Sequence, residues 1–234
     1  MSQTPDPSQK KRILLVEDHP TTRMGLRLMI DGEDDLEVCG EAGHAAEGLE
    51  AAIRLTPSLV LTDVTLPGRS GFELVQDLAS RCPRLPVLVV SMHPESTFAR
   101  RALEIGARGY IMKSESGEAI LQAIRTVLSG RIYLSQAAGS QLLEFLNNRS
   151  HKKHTGVEAL SPREFEIFRL IGEGISTEDI AARLHISTKT VETHRHHIKE
   201  KTGTSRMGEL IAFAAGWLSE QSMTPEPLDS KNGR

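Results

Sequence analysis

Five short apolar runs, each followed by a longer stretch of helical spacing, constrain this chain more than any other feature. The runs are Ile13–Val16, Leu36–Cys39, Leu59–Leu61, Val87–Val90 and Gly109–Met112. They are continuously hydrophobic rather than alternating, which predicts strands buried on both faces. Between them apolar residues recur every three or four positions, as in Leu26/Met29/Ile30, Ala46/Leu49/Ala52/Ile53, Phe72/Val75/Leu78, Phe98/Ala102/Ile105 and Ile120/Ala123/Ile124/Val127. Five repeats of strand then helix predict parallel strands joined by right-handed crossovers, a doubly wound α/β domain over residues 11–130. Function in such a sheet gathers at the carboxyl ends of the strands.

After residue 130 the character changes. Residues 131–158 read as a linker with a helix near Ser135–Leu146, followed by the polar run NNRSHKKHTG at 147–156. From Leu160 the pattern is helical only, and residues 159–218 read as an all-α unit of four helices. Ser161-Pro162-x-Glu164 combines an N-cap, a proline at the first helical position and a capping-box glutamate. Residues 1–10 and 219–234 are polar and are expected to be disordered.

Charge divides along the same lines. Residues 1–150 hold 16 Lys and Arg against 19 Asp and Glu, while residues 151–218 hold 10 against 9 and six of the nine histidines. No apolar run approaches the roughly 20 residues that cross a bilayer. The N-terminus lacks an apolar signal region, so a cytoplasmic location without membrane contact is expected. Two cysteines, Cys39 and Cys82, cannot build a disulfide framework or a four-cysteine zinc site and are expected to be buried free thiols.

Polar residues at the strand ends carry the chemistry of the first domain. Glu17 and Asp18 end the first strand in LLVEDHP, and Asp63 ends the third in LVLTDVTLPG. In a parallel sheet of the usual order those ends are neighbours. Carboxylates so gathered repel one another and call for a cation, and an all-oxygen site suits Mg²⁺, which bridges readily to phosphate. Ser91 and Lys113 end the fourth and fifth strands. A hydroxyl and an ammonium beside a metal-bound carboxylate make a phosphate-binding constellation.

With those residues in place, Lys11–Ser129 resembles a response-regulator receiver domain, a five-stranded flavodoxin-like fold. Glu17-Asp18 matches the acidic pair, Asp63 the phosphoacceptor, Pro67-Gly68 the turn after it, Ser91 and Tyr110 the switch pair, and Lys113 the lysine. The resemblance implies that a sensor histidine kinase supplies the phosphoryl group to Asp63. It also implies that Asp18, Asp63 and the Thr65 carbonyl ligate Mg²⁺, with Glu17 acting through a water. Aspartyl-phosphate hydrolases of the haloacid dehalogenase type carry a second Asp two positions after the first; here Thr65 stands there, so the chain does not read as an enzyme.

The second unit has a helix-turn-helix rhythm. Ile180, Ala181 and Leu184 make an inner face, His185-Ile186-Ser187 a turn, and Ser187 or Thr188 a cap for the next helix. In that helix Val191 and Ile198 point inward. Lys189, Glu192, Thr193, His196 and Lys199 lie opposite, with the polarity to read base edges. Thr188, Thr190, Arg195 and Lys201 flank them as phosphate contacts. His194, His196 and His197 raise the thought of a metal. Only His194 and His197 share a side, and no cysteine is near, so phosphate donation or packing is expected instead.

LSPRE at 160–164, the EGIST-DIA stretch at 173–181 and ISTKTVETH at 186–194 make this unit resemble the LuxR-type output domain of NarL/FixJ regulators. The resemblance implies a transcription regulator that binds DNA, as an inverted repeat read by a homodimer formed on activation, with RNA polymerase a further partner. It places the dimer contact on the last helix, where Leu210, Ile211, Ala214 and Leu218 form an apolar stripe; part of that stripe must pack on its own domain, so only its outer edge is free for a partner. Thr202 and Thr204 depart from the family's apolar residues, at a cost of about 1–3 kcal/mol if buried without partners. A receiver that serves only as an interaction module, beside phosphorylation-independent DNA binding, is the alternative that the intact acidic site argues against.

Overall fold

A computed structural model describes residues 10–147 and 156–222. The chain forms two compact units that divide between residues 150 and 151. Residues 1–9, 148–155 and 223–234, which include most of the expected disordered ends and the polar run, lie outside the described residues.

In the first unit β1 (Lys11–Val16), β2 (Leu36–Ala42), β3 (Leu59–Thr62), β4 (Val87–Ser91) and β5 (Gly109–Met112) form one sheet. Its order is β2-β1-β3-β4-β5, and every pairing is parallel. The connections are α1 (Pro20–Asp31), α2 (Ala45–Leu55), α3 (Gly71–Arg81) and α4 (Glu95–Glu104), with α5 (Gly117–Leu128) after β5. Ile13–Val16, Leu59–Thr62 and Val87–Ser91 are buried throughout, as strands covered on both faces must be. β2 departs from that expectation. It is an edge strand, with only Leu36 and Ala42 of its seven residues buried. Cys39 on β2 and Cys82 after α3 are free and only half-buried.

The far edge is covered differently. Tyr133 bridges to Gly109, and its carbonyl accepts the Tyr110 N–H at 3.1 Å. The chain therefore continues along β5 before α6 (Gln136–Asn147), and Ser135 N–H donates to Glu95 at 2.8 Å. The helix expected in the linker thus packs within the first unit, against α4.

The second unit begins with a 3-10 turn at Gly156–Ala159, followed by α7 (Pro162–Gly172), α8 (Thr177–Arg183), α9 (Thr188–Thr202) and α10 (Met207–Ser222). Serine caps start three of these helices. Ser161 and Glu164 close a capping box on α7, Ser176 caps α8, and Ser187 rather than Thr188 caps α9. Helix α10 continues past Ser219, where a disordered tail was expected to begin, as far as Ser222. Phe165, Phe168, Ile180, Val191, Ile198, Leu210 and Ala214 form the core, and Trp217 stands edge-on to Phe165 at 5.2 Å.

Two expectations for this unit change. Thr202 Oγ donates to the Ile198 carbonyl at 2.8 Å and meets Thr204 Oγ at 3.0 Å. The two threonines satisfy one another, so the penalty for unpartnered hydroxyls does not arise. Leu210 and Ala214 are fully buried in their own unit. Ala214 packs where α10 lies on α7, so closely that a Cβ on Gly172 would stand 2.9 Å from its backbone. A residue already buried there cannot also face a partner. Of the expected dimer stripe, Ile211 is exposed, as is the neighbouring Phe213, and Leu218 is half-buried.

Candidate phosphoryl-transfer and DNA-binding sites

The sheet order reverses between β1 and β3, and open α/β sheets place their ligand sites at such a point. Asp63 directly follows β3 there, with its N–H donated to the Val16 carbonyl of β1 at 2.9 Å. Its carboxylate is 5% exposed. Oδ1 accepts the Val64 N–H at 2.6 Å, and Oδ2 accepts from Lys113 Nζ at 2.8 Å. Lys113 Nζ also lies 2.6 Å from Glu17 Oε2, so one ammonium holds two buried carboxylates.

The loop after Asp63 is set by two glycines. Gly68 adopts φ +75°, the left-handed region that favours glycine. Gly71 opens α3 so close to the site that a Cβ on it would sit 1.8 Å from the Asp63 carbonyl oxygen.

Glu17, Asp18 and Asp63 each offer an oxygen, and His19 a ring nitrogen, within 4.8 Å of one another. His19 Nδ1 lies 2.8 Å from Asp18 Oδ1 without the geometry of a hydrogen bond, which leaves that buried oxygen without a donor. An unsatisfied carboxylate oxygen facing two other carboxylates is the donor set of a hard divalent ion, and the residues fit Mg²⁺. His19 had no part in the sequence reading. The signal available was its position directly after the acidic pair, where it precedes α1.

Ser91 and Tyr110 are both fully buried. Ser91 Oγ accepts the His93 N–H at 3.2 Å, and Tyr110 Oη donates to the His93 carbonyl at 3.0 Å. Burial pushes the Tyr110 hydroxyl far above its usual range, so it remains a donor. Thr65 Oγ meets His93 Nε2 at 2.9 Å. His93, also absent from the sequence reading, thus touches Ser91, Tyr110 and Thr65.

Burial pushes the Asp63 carboxyl up to about 6; the Lys113 ammonium opposes this and the charge on Glu17 adds to it. Burial tends to lower Lys113, but Asp63 and Glu17 outweigh it and hold its ammonium above the ordinary value. An acid whose folded pKa exceeds its unfolded value binds protons more tightly when folded. Its contribution therefore favours folding as pH falls from about 6 towards 4, and is lost as pH rises through that window. In a metal chelator, the urea-unfolding free energy of the wild type relative to Asp63→Asn should rise by up to about 3 kcal/mol from pH 7 to pH 4. A difference independent of pH would contradict a buried, proton-binding Asp63.

On α9, Val191 and Ile198 are fully buried. Thr188, Lys189, Thr190, Glu192, Thr193 and His196 are exposed, and Lys199 is half-buried. Arg195 is tied to Thr177 and Glu192, and Lys201 Nζ lies 2.6 Å from Glu164. Those two cations are engaged within the unit and do not stand on the open face.

Comparison with known proteins follows the same division. Residues 13–125 match the response regulator receiver domain, and residues 158–214 match the bacterial regulatory proteins of the luxR family. The transcriptional regulatory protein MctR of Rhizobium johnstonii is 35% identical over 205 residues, 88% of this chain and 93% of that protein. The oxygen regulatory protein NreC of Staphylococcus aureus is 32% identical over 208 residues, 87% of this chain and 96% of that protein. Among solved structures, a LuxR-family two-component response regulator from Aurantimonas sp. has a TM-score of 0.56 at 34% identity, over 59% of this chain and 99% of that one. RcsB of Salmonella enterica serovar Typhimurium, bound to the promoter rprA in the presence of BeF3-, shares the fold with a TM-score of 0.58 at 21% identity, over 88% and 99% of the two chains.

Proposed function

Because this chain belongs to the response regulators that join a receiver to a LuxR-type DNA-binding domain, transcription regulators rather than enzymes, we propose that Asp63 is its phosphoacceptor. The observation that carries this is one buried carboxylate at the β1/β3 switch point, gripped by Lys113 and gathered with Glu17 and Asp18. One Asp63 oxygen attacks the phosphorus of a phosphohistidine on a sensor kinase. The P–O bond forms as the P–N bond breaks, and the imidazole, already protonated on its other nitrogen, leaves as the neutral ring with the electron pair of the broken bond. Lys113 offsets charge on the phosphoryl oxygens and keeps the carboxylate aimed. Receiver domains generally bind Mg²⁺ at this site; here Asp18, Asp63 and the Thr65 carbonyl would hold it, with Glu17 through a water, and it would supply the remaining neutralising charge.

The switch then follows from what Ser91 and Tyr110 hold. Both are anchored on the main chain of His93. A phosphoryl oxygen that draws Ser91 Oγ towards Asp63 removes the acceptor of the His93 N–H. Residues 91–94 then move, and the acceptor of Tyr110 moves with them. On this reading, that rearrangement is the event that favours pairing of two copies of the chain.

The DNA-binding unit, residues 159–218, reads bases through Lys189, Thr193 and His196 on α9, with Thr188, Thr190, Glu192 and Lys199 at its margins. A unit with so little net positive charge grips phosphates weakly as a single copy. Two copies related by a two-fold axis read an inverted repeat, with Ile211 on the free edge of α10 as the remaining dimer contact. DNA as the partner implies the cytoplasm, and among the described residues no helix is long and apolar enough to cross a membrane.

The test is Asp18→Ala. This variant should fold, keep its circular dichroism, and take up no phosphoryl group from acetyl phosphate in Mg²⁺. Uptake at the wild-type rate would remove Asp18 from the metal set.

A further inference from the structure

The second unit holds a polar cluster that neither phosphoryl transfer nor base recognition uses. Glu164, near the start of α7, is 4% exposed. Burial acts to raise its carboxyl, but Lys201 and the Ser161 N–H outweigh it and hold the group below its ordinary value, charged. Its two oxygens have different partners. Oε2 accepts the Ser161 N–H and lies beside Lys201 Nζ, each at 2.6 Å. Oε1 faces α9, where His197 Nδ1 lies 3.8 Å away. One turn earlier on the same side of α9, His194 Nδ1 is buried and has no hydrogen-bond partner among the described residues. One ligand atom from each of Glu164, His194 and His197 lies within 4.8 Å of the others.

A helix cap beside a packed histidine would explain less. The cap uses only Oε2, and a buried ring nitrogen without a partner is a cost that packing does not repay. We propose that Glu164, His194 and His197 bind a divalent late transition ion of the zinc type, which ties the start of α7 to α9. Two imidazoles and one carboxylate are a known zinc ligand set, with a fourth position left for water. Nitrogen donors favour such ions over Mg²⁺ or Ca²⁺. Ser161 and Lys201 act as outer partners that orient the carboxylate through Oε2 and leave Oε1 for the ion. Burial is the main cause that lowers the His194 pKa; Glu164 opposes it and Arg163, His197 and Lys201 add to it, a direction that suits a neutral ring. Bonds of about 2.0–2.1 Å require the atoms to close in, and exposed His197 has the rotamer freedom to do so. Spacing along α9 brings only the two histidines together; the third ligand comes from α7, earlier in the chain.

The experiment titrates the full chain with Co²⁺, then Zn²⁺, in saturating Mg²⁺ that occupies the acidic cluster of the first unit. The wild type should develop the visible absorption of tetrahedral Co²⁺, displaced by Zn²⁺, and Zn²⁺ should raise the melting temperature of the second unit. His197→Asn, at an exposed position, should keep its circular dichroism, lose the Co²⁺ bands and bind Zn²⁺ at least ~10-fold more weakly. His194→Ala should do the same if it folds; if it does not, His197→Asn decides alone. A wild type without tetrahedral Co²⁺ absorption overturns the proposal. So does Zn²⁺ binding of equal strength in His197→Asn, which would put the ion elsewhere, for instance at His19.

Discussion

Asp63→Asn will gain no phosphoryl mass from acetyl phosphate and Mg²⁺, while the wild-type chain gains one group. The amide keeps the shape of the carboxylate but is no nucleophile. It also removes the charge that Lys113 grips at 2.8 Å. Removal of a nucleophile acts on the scale of ~10³-fold or more, so residual uptake should fall below detection. The variant should still fold, because Lys113 keeps its second partner, Glu17, at 2.6 Å. Uptake at the wild-type rate would assign the phosphoryl group to another residue and dissolve the role given to the cluster.

Gly71→Ala should be the most damaging single methyl in the receiver. The new Cβ would stand 1.8 Å from the Asp63 carbonyl oxygen and 2.8 Å from its carbon. Both are backbone atoms, which cannot rotate away as a side chain does. Either α3 or the loop carrying Asp63 must shift, which breaks the Gly71 N–H bond to the Val64 carbonyl, now 2.9 Å. Overpacking of this kind costs about 1–3 kcal/mol. Displacement of the nucleophile by an ångström is worth a further ~10²-fold in transfer rate. Gly25→Ala is the control, since nothing lies within 4 Å of a Cβ there. Urea unfolding and phosphoryl uptake that match the wild type in Gly71→Ala would show that the loop is looser than its contacts imply.

Most of the cluster at the carboxyl edge was legible because Asp63, Lys113, Ser91 and the acidic pair each end an apolar run. A buried strand is written as hydrophobic sequence, and its last polar neighbour then lies at the carboxyl edge by construction. His19 and His93 do not carry that mark. His19 matters through its Nδ1, which meets Glu17 Oε1 at 3.3 Å and lies 2.8 Å from Asp18 Oδ1, and His93 through main-chain bonds to Ser91 and Tyr110. Main-chain donors and acceptors leave no trace in side-chain spacing.

The helical unit was legible in its caps and its inner face, and less so in its polar surface. Period alone put Arg195 and Lys201 among the phosphate contacts. Arg195 is engaged by Glu192 one turn away on α9 and by Thr177 of α8, and Lys201 by Glu164 of α7. An apolar stripe on α10 cannot say which edge packs inward; the fold buries Leu210 and Ala214 and leaves Ile211 exposed. Glu164, His194 and His197 meet only when α7 lies across α9, a contact that no local pattern encodes.

Coupling between the two units is the heart of the functional reading, and DNA affinity measures it. Sequences are selected from a random pool by the full chain in acetyl phosphate and Mg²⁺. The selected DNA and its scrambled form are then titrated with wild type and Asp63→Asn, each with and without acetyl phosphate. Phosphorylation should tighten wild-type binding to the selected DNA by roughly 5- to 150-fold, the usual range of coupling between two sites. Scrambled DNA should bind weakly in both states, and Asp63→Asn should ignore acetyl phosphate. Equal affinity for the two DNAs in every state, or equal tightening in Asp63→Asn, would contradict a regulator switched at Asp63.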